Sequence, residues 1–278
     1  MSFLTTDMKD FFEKNADDIR NKKLWLFDMD GTIYEENRIF DGTLPLLNEI
    51  KKKGGRYMFI TNNSSKSVED YVKKVTNMGI EATKDDFFTS SQATVLYLKE
   101  NASGMKVYCQ GTKSLIKELT DNGIDVVEKV DDDAKVVLLG FDTEMTSEKL
   151  RNTSEMLTKD VMYIATNPDL VCPVSFGYIP DCGSISIMLK NASGKTPKFI
   201  GKPEPTMVNL AMKKYGYDKK DTIVVGDRIY TDIKSGVNAG VDTICVLSGE
   251  VKVKDILESD VKPKYTFNSV MDVYELIK

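Results

Sequence analysis

Residues 24–32 read Leu-Trp-Leu-Phe-Asp-Met-Asp-Gly-Thr, four apolar residues running straight into two acidic ones. A short, continuous apolar run is the pattern of a strand covered on both faces, as parallel sheets require. Gly31 and Thr32 then break it with a polar turn, so Asp28 and Asp30 stand at a strand's carboxyl end. Further on, Leu44, Leu47 and Ile50 recur at helical spacing between Thr43 and Lys53, and Gly54 and Gly55 stop that helix before a second strand, Tyr57 to Ile60. Together these make a βαβ unit. A polar turn, Thr61 to Lys66, leads into a helix from Val68 to Met78 that closes at Gly79.

The same alternation continues through a strand from Lys106 to Cys109, a helix from Thr112, a strand from Val136 to Gly140, a helix from Ser147 and a strand from Met162 to Ala165. Parallel α/β architecture is expected throughout. Late in the chain Thr222 to Val225 forms a β-branched strand ending in Gly226 and Asp227, followed by a helix to about Ala239 and a strand near Thr243 to Val246. Three strand ends therefore carry small or acidic polar residues, at Asp28, Thr61 and Asp227, which is where parallel sheets hold ligands. The stretch 84–195 lacks such a set and reads as an inserted second domain, with the core formed by 1–83 and 196–278.

Composition narrows the chemistry. With 41% hydrophobic and 29% charged residues and no apolar run long enough to cross a bilayer, the chain is expected to be water-soluble and free of membranes. Its acidic, amphipathic opening, residues 1–20, lacks the basic flank and apolar centre of a secretory signal, so a cytoplasmic location is expected. Cys109, Cys172, Cys182 and Cys245 have no CxxC spacing and sit beside apolar stretches, which reads as inert packing rather than a disulfide framework. A net charge of −5, with no basic cluster beyond Lys51, Lys52 and Lys53, argues against nucleic acid.

The chain contains no histidine, which removes Ser-His-Asp triads, phosphohistidine chemistry, imidazole bases and the usual zinc ligands. No cysteine opens a loop closing on an arginine, so the thiol route to phosphoryl transfer has no support either. Carboxylates with magnesium remain. Asp28 can bind a metal ion and attack phosphorus through its other oxygen, forming an aspartyl phosphate, while Asp30 trades a proton with the leaving oxygen. Taken alone, Asp30-Gly31 is equally well a plain turn. Asp227, with Asp232 four residues beyond Arg228, supplies further carboxylates at another strand end, and a magnesium site needs just such oxygen ligands.

Thr61, Asn62 and Asn63 offer a hydroxyl and backbone amides at a helix start, suited to a phosphate oxygen or simply to an N-cap. Lys202 is held between Gly201 and Pro203, a rigid setting for a cation. Ser193-Gly194-Lys195-Thr196 fails as a P-loop because the required earlier glycine is Leu189. A DxD metal site of the glycosyltransferase kind would not call for the lysine and the second aspartate.

In chain order these pieces are D-x-D-G-T, T-N-N-S, G-K-P and G-D-R-x-x-T-D, and in this the sequence resembles the haloacid dehalogenase-like hydrolase superfamily. LFDMDGTIY, ITNNSS, ATNPDLVCP, FIGKPEP and VVGDRIYTDIKSGVNAG resemble its NagD and para-nitrophenylphosphatase branch, over nearly the whole chain. The resemblance implies a Rossmann-like parallel-sheet core with an inserted α/β cap of the C2 type. It also implies roles: Asp28 as nucleophile and magnesium ligand, Asp30 as acid/base whose backbone carbonyl binds magnesium, Asp227 as the remaining protein ligand, and Asp232 behind them. Thr61 and the amide of Asn62 would bind the transferring phosphoryl group and Lys202 would neutralise its charge. Asn167 and Asp169, in a polar turn after the strand Met162 to Ala165, are placed by the resemblance in the cap, facing substrate.

The implied activity is Mg²⁺-dependent hydrolysis of small phosphate monoesters such as sugar phosphates, nucleoside monophosphates or para-nitrophenyl phosphate. The same aspartyl phosphate would serve a phosphotransferase or phosphomutase, and the same fold could carry a non-catalytic regulatory protein. The motifs leave the natural ester unnamed and leave open whether the chain forms a homo-oligomer.

Overall fold

The computed structural model describes residues 9–65, 67–174 and 176–278. The first eight residues of the amphipathic opening, and Lys66 at the end of the Thr61 to Lys66 turn, lie outside them. The chain divides into two compact units, one made of residues 1–60, 72–87 and 208–278, the other of 61–71 and 88–207. The sequence had suggested breaks at 83/84 and 195/196. By contacts the turn after the second strand and the Gly201-Lys202 segment both belong to the second unit.

The first unit is organised by a six-stranded sheet in the order Tyr265–Phe267, Asp242–Val246, Thr222–Gly226, Leu24–Phe27, Arg56–Thr61, Phe87–Thr89. Leu24, Trp25, Leu26 and Phe27 are all buried, as a strand covered on both faces demands. Leu24–Phe27 pairs in parallel with Arg56–Thr61 on one side and with Thr222–Gly226 on the other. The chain first adds strands on one side of Leu24–Phe27 and only later on the other, so the order reverses between Leu24–Phe27 and Thr222–Gly226. In open parallel sheets that reversal leaves a crevice at the carboxyl ends.

The helix Thr43–Lys52 buries Leu46, Leu47 and Ile50; Leu44, expected on that stripe, is 36% exposed. The buried stripe is Thr43, Leu46, Leu47 and Ile50, at i, i+3, i+4 and i+7, so Thr43 rather than Leu44 occupies its first position. The helix expected after Asp227 opens instead with a π-helical turn, Ile229–Ile233, before the α-helix Lys234–Ala239.

The second unit has its own five-stranded sheet, in the order Lys198–Phe199, Met162–Ala165, Ala134–Leu139, Lys106–Gln110, Val126–Val127, parallel at every pairing. Alternation along Ala134–Leu139 sends Val136 and Leu138 into a core with Leu115 and Leu119, and Val137 and Leu139 into a core with Met156, Ile185 and Leu189. Helices Lys113–Asp121 on one face and Ser147–Met156 and Cys182–Ser193 on the other supply those partners.

Parallel pairing does not hold everywhere. Val171–Val174 pairs antiparallel with Gly177–Pro180, and Tyr34–Glu35 with Arg38–Ile39. Two-residue connections are too short for the crossover that parallel neighbours need. All four cysteines are free thiols, and burial pushes those of Cys182 and Cys245 up to about 12, which fits the packing role expected of them. Among the described residues, no helix is long and apolar enough to cross a membrane.

Candidate active site

Asp28 follows directly from the central strand, its N–H continuing the ladder onto the Val225 carbonyl at 2.8 Å. Met29 turns into the core at 3% exposure, which leaves Asp28 half-buried and Asp30 exposed on either side of it. The chain then doubles back, Gly31 N–H donating to the Tyr34 carbonyl at 2.8 Å. Gly31 has φ +83°, and a Cβ there would lie 2.4 Å from Asp227 Oδ2. Only glycine satisfies both conditions.

Asp227 directly follows the neighbouring strand Thr222–Gly226 and is 1% exposed. Thr32 Oγ1 donates to its Oδ1 at 3.2 Å, and the Glu250 N–H donates to its Oδ2 at 2.8 Å. Asp232, also 1% exposed, accepts the Arg228 N–H on Oδ2 at 3.1 Å. The π-helical turn brings it there: Arg228 O accepts from both Asp232 N and Ile233 N, and the widened turn carries the Asp232 side chain back over Gly226, where a Cβ would sit 2.3 Å from its own Cβ. Asp28, Asp227 and Asp232 each offer a carboxylate oxygen, and these lie within 4.8 Å of one another.

The second unit gathers the other residues singled out by sequence around Asn62. Its Oδ1 accepts the Lys202 N–H at 2.7 Å, and its Nδ2 donates to the Lys202 carbonyl at 2.8 Å and to Asp169 Oδ2 at 3.0 Å. Its own carbonyl accepts from Asn167 Nδ2 at 2.9 Å and from Ser90 Oγ at 2.6 Å. Thr61, the last residue of its strand, receives the Asn63 N–H on Oγ1 at 3.3 Å. Lys202 is 3% exposed and Asn167 fully buried.

Family models for "Haloacid dehalogenase-like hydrolase" and for HAD-hydrolase-like proteins match residues 25–125 and 199–273. The acid sugar phosphatase of Staphylococcus saprophyticus is 35% identical over 94% of this chain and 98% of its own. The chain belongs to the haloacid dehalogenase-like hydrolases. Among solved structures, the 4-nitrophenylphosphatase of Thermotoga maritima superposes with a TM-score of 0.89 at 35% identity, covering 94% of this chain and 99% of its own. A glycerol phosphate phosphatase from Mycobacterium tuberculosis, in complex with magnesium, superposes at 0.85 with 26% identity over 92% of this chain and 78% of its own. These relatives place the chain in the NagD and para-nitrophenylphosphatase branch of the hydrolases.

In this haloacid dehalogenase-like hydrolase the carboxylate cluster has the chemistry of a hard-cation site. Every donor is oxygen, two of the three aspartates are buried, and clustering like charges is costly unless a cation balances them. Burial, and then the charge of Asp232, pushes Asp227 up to about 6. Burial works to lower the basicity of Arg228, but the charges of Asp28, Tyr230 and Glu250 outweigh it and hold the guanidinium firmly protonated.

Sequence reasoning missed the loop that completes the cluster. Glu250 pairs with Arg228 Nε at 2.9 Å and accepts from the Tyr230 hydroxyl at 2.8 Å. Ser248 Oγ donates to the Gly31 carbonyl at 2.8 Å, and a Cβ on Gly249 would lie 2.1 Å from Asp227 Oδ2. The available signal was position: Ser248-Gly249-Glu250 follows the carboxyl end of Asp242–Val246, in the same sheet as the other two ends.

Proposed function

We propose that this phosphatase of the haloacid dehalogenase type hydrolyses small phosphate monoesters with Mg²⁺, through a phosphoryl group carried on Asp28. The observation that supports it most is the meeting of Asp28, Asp227 and Asp232 within 4.8 Å at the strand-order reversal of a parallel sheet. The relatives named for sugar, nitrophenyl and glycerol phosphates support the substrate class.

Asp28, Asp227 and the backbone carbonyl of Asp30 would hold the cation, with Asp232 behind them. When bound, it would shield the carboxylates from the incoming phosphoryl oxygens and offset the charge that develops in transfer. One Asp28 oxygen attacks phosphorus as the bond to the ester oxygen breaks, and Asp30 gives its proton to that leaving oxygen. Asp30 then takes a proton from water, which attacks the acyl phosphate, releasing inorganic phosphate and restoring Asp28. Asp30 is suited to this by its exposure, since it must exchange protons with leaving group and water in turn. Thr61 and the Asn62 amide would bind phosphoryl oxygens, and Lys202 would balance their charge. The insertion would form the cap that reads the leaving group, and the cytoplasm is the proposed location.

Phosphate release from sugar phosphates, nucleoside monophosphates and para-nitrophenyl phosphate, measured with Mg²⁺, with Ca²⁺ and with chelator, tests this reading. Mg²⁺ should support release, chelator should abolish it, and Ca²⁺, with its higher coordination number and longer bonds, should suppress it. Full activity in chelator would refute the reading.

A further inference from the structure

Asn62 uses both ends of its side-chain amide on one residue. Oδ1 takes the N–H of Lys202 and Nδ2 gives to its carbonyl, at 2.7 and 2.8 Å, so the amide pairs with Lys202 as a neighbouring strand would and fixes the peptide groups on both sides of its Cα. The direction in which the Lys202 side chain leaves the backbone is set by that clamp. Nothing in a lone asparagine decides which way its amide points. Here the Lys202 N–H and carbonyl choose the end each can pair with, and the Asp169 carboxylate, which can only accept, holds the Nδ2 end in that same orientation, at 3.0 Å from Oδ2 and 3.2 Å from Oδ1.

Asn167 holds the same assembly from the other side. Its Nδ2 donates to the Asn62 carbonyl at 2.9 Å, and its Oδ1 accepts the Asp169 N–H at 3.0 Å. It also hydrogen-bonds Asp181, which caps the helix Cys182–Ser193. Both ends of the Asn167 amide are thus engaged within the protein and the residue is fully buried. The segment is tightly closed: a Cβ on Gly201 would come within 2.5 Å of Asn62 Oδ1 and 2.7 Å of the Thr166 carbonyl. The loop beyond Asn62 is tied to the same strand ends, with Ser64 Oγ 3.0 Å from Thr166 Oγ1 and accepting the Phe141 N–H at 3.1 Å.

We propose that Asp169 and Asn167 are positioning residues rather than readers of the leaving group: they orient Asn62 so that it fixes Lys202 and the Thr61–Asn62 amides as one phosphoryl-binding body. This rests on the phosphoryl-binding roles proposed above for Thr61, Asn62 and Lys202. Whatever disturbs the body acts on the group common to all substrates, so its effect is blind to the alcohol.

The test compares Asp169→Ala, Asp169→Asn and Lys202→Met, each checked by thermal melting, with Asp169→Ser in place of the alanine variant if that melts early. Asp169→Ala should lower kcat/KM for every ester by a common factor of about 10- to 100-fold, as a misplaced catalytic group does, and should weaken inorganic phosphate binding by calorimetry. Asp169→Asn keeps a carbonyl acceptor and should recover most of both. In the Lys202→Met background, Asp169→Ala should add less than about twofold to the loss of phosphate binding, since the two act through one route. Losses confined to some esters, or phosphate affinity unchanged in Asp169→Ala, would overturn the proposal. Wild-type protein that binds phosphate yet releases none from any ester would instead refute the catalytic reading, and the calorimetric comparison would still decide this one.

Discussion

Asp227 is the residue on which the carboxylate cluster turns, and its surroundings set narrow conditions. Two donors, Thr32 Oγ1 and Glu250 N–H, fix its two oxygens, and two glycines, Gly31 and Gly249, leave room for them. Gly249→Ala is the sharper probe of the two, because a methyl group there meets Asp227 Oδ2 at 2.1 Å while the backbone needs no left-handed conformation. Overpacking of this kind costs about 1–3 kcal/mol, and relief by moving the carboxylate would spoil the cation site. Gly249→Ala should therefore remain folded, with a lower melting temperature and a raised Mg²⁺ requirement in phosphate release. An unchanged Mg²⁺ dependence would show that Asp227 does not hold the cation. Asp28→Asn should likewise keep its melting profile and lose turnover, since an amide is neither nucleophile nor anion.

The helix Cys182–Ser193 shows how a local cap acquires a pH dependence. Its N-cap Asp181 accepts the Cys182 N–H at 2.5 Å, the usual device for an orphan donor of a first turn. Burial, and then the nearby Asp169 charge, raises Asp181 to about 7 despite the hydrogen bonds from Cys182 and Asn167 that favour its ionised form. A carboxyl group raised on folding binds its proton more tightly folded than unfolded. Its favourable share of stability is present at low pH and is lost as pH climbs from about 4 to about 7. Asp181→Asn, which keeps an acceptor and cannot ionise, should narrow the gap between melting temperatures at pH 5 and pH 8. An equal gap in the variant would show that Asp181 does not titrate in this range.

Elements were legible in the sequence wherever burial was uniform. Leu24–Phe27, Met162–Ala165 and Thr222–Gly226 announce themselves as unbroken apolar or β-branched runs. The hairpin Val171–Val174/Gly177–Pro180 did not, since a two-stranded ribbon with Val171, Phe176 and Tyr178 exposed has no alternation to read. The π-helical turn at Ile229–Ile233 was equally hidden, because one extra residue per turn leaves no mark on composition.

At the scale of the whole chain, two separate sheets each set polar residues at their carboxyl ends, and the proposed chemistry is assigned to carboxylates and a lysine in a chain without histidine. The candidate residues were legible because strand ends in parallel sheets are where short polar motifs interrupt apolar runs. Their division was not. Asp28, Asp30, Asp227 and Asp232 belong to one unit, and Thr61, Asn62, Asn167, Asp169 and Lys202 to the other, because contacts made by Asn62 and Ser64 settle which sheet a loop joins and spacing carries no trace of them. The most direct test of the central claim is to quench the enzyme in acid during turnover with Mg²⁺, reduce with borohydride and map the peptides by mass. An acyl phosphate on Asp28 is expected to appear as homoserine at position 28, whereas steady turnover with Asp28 unaltered would contradict it.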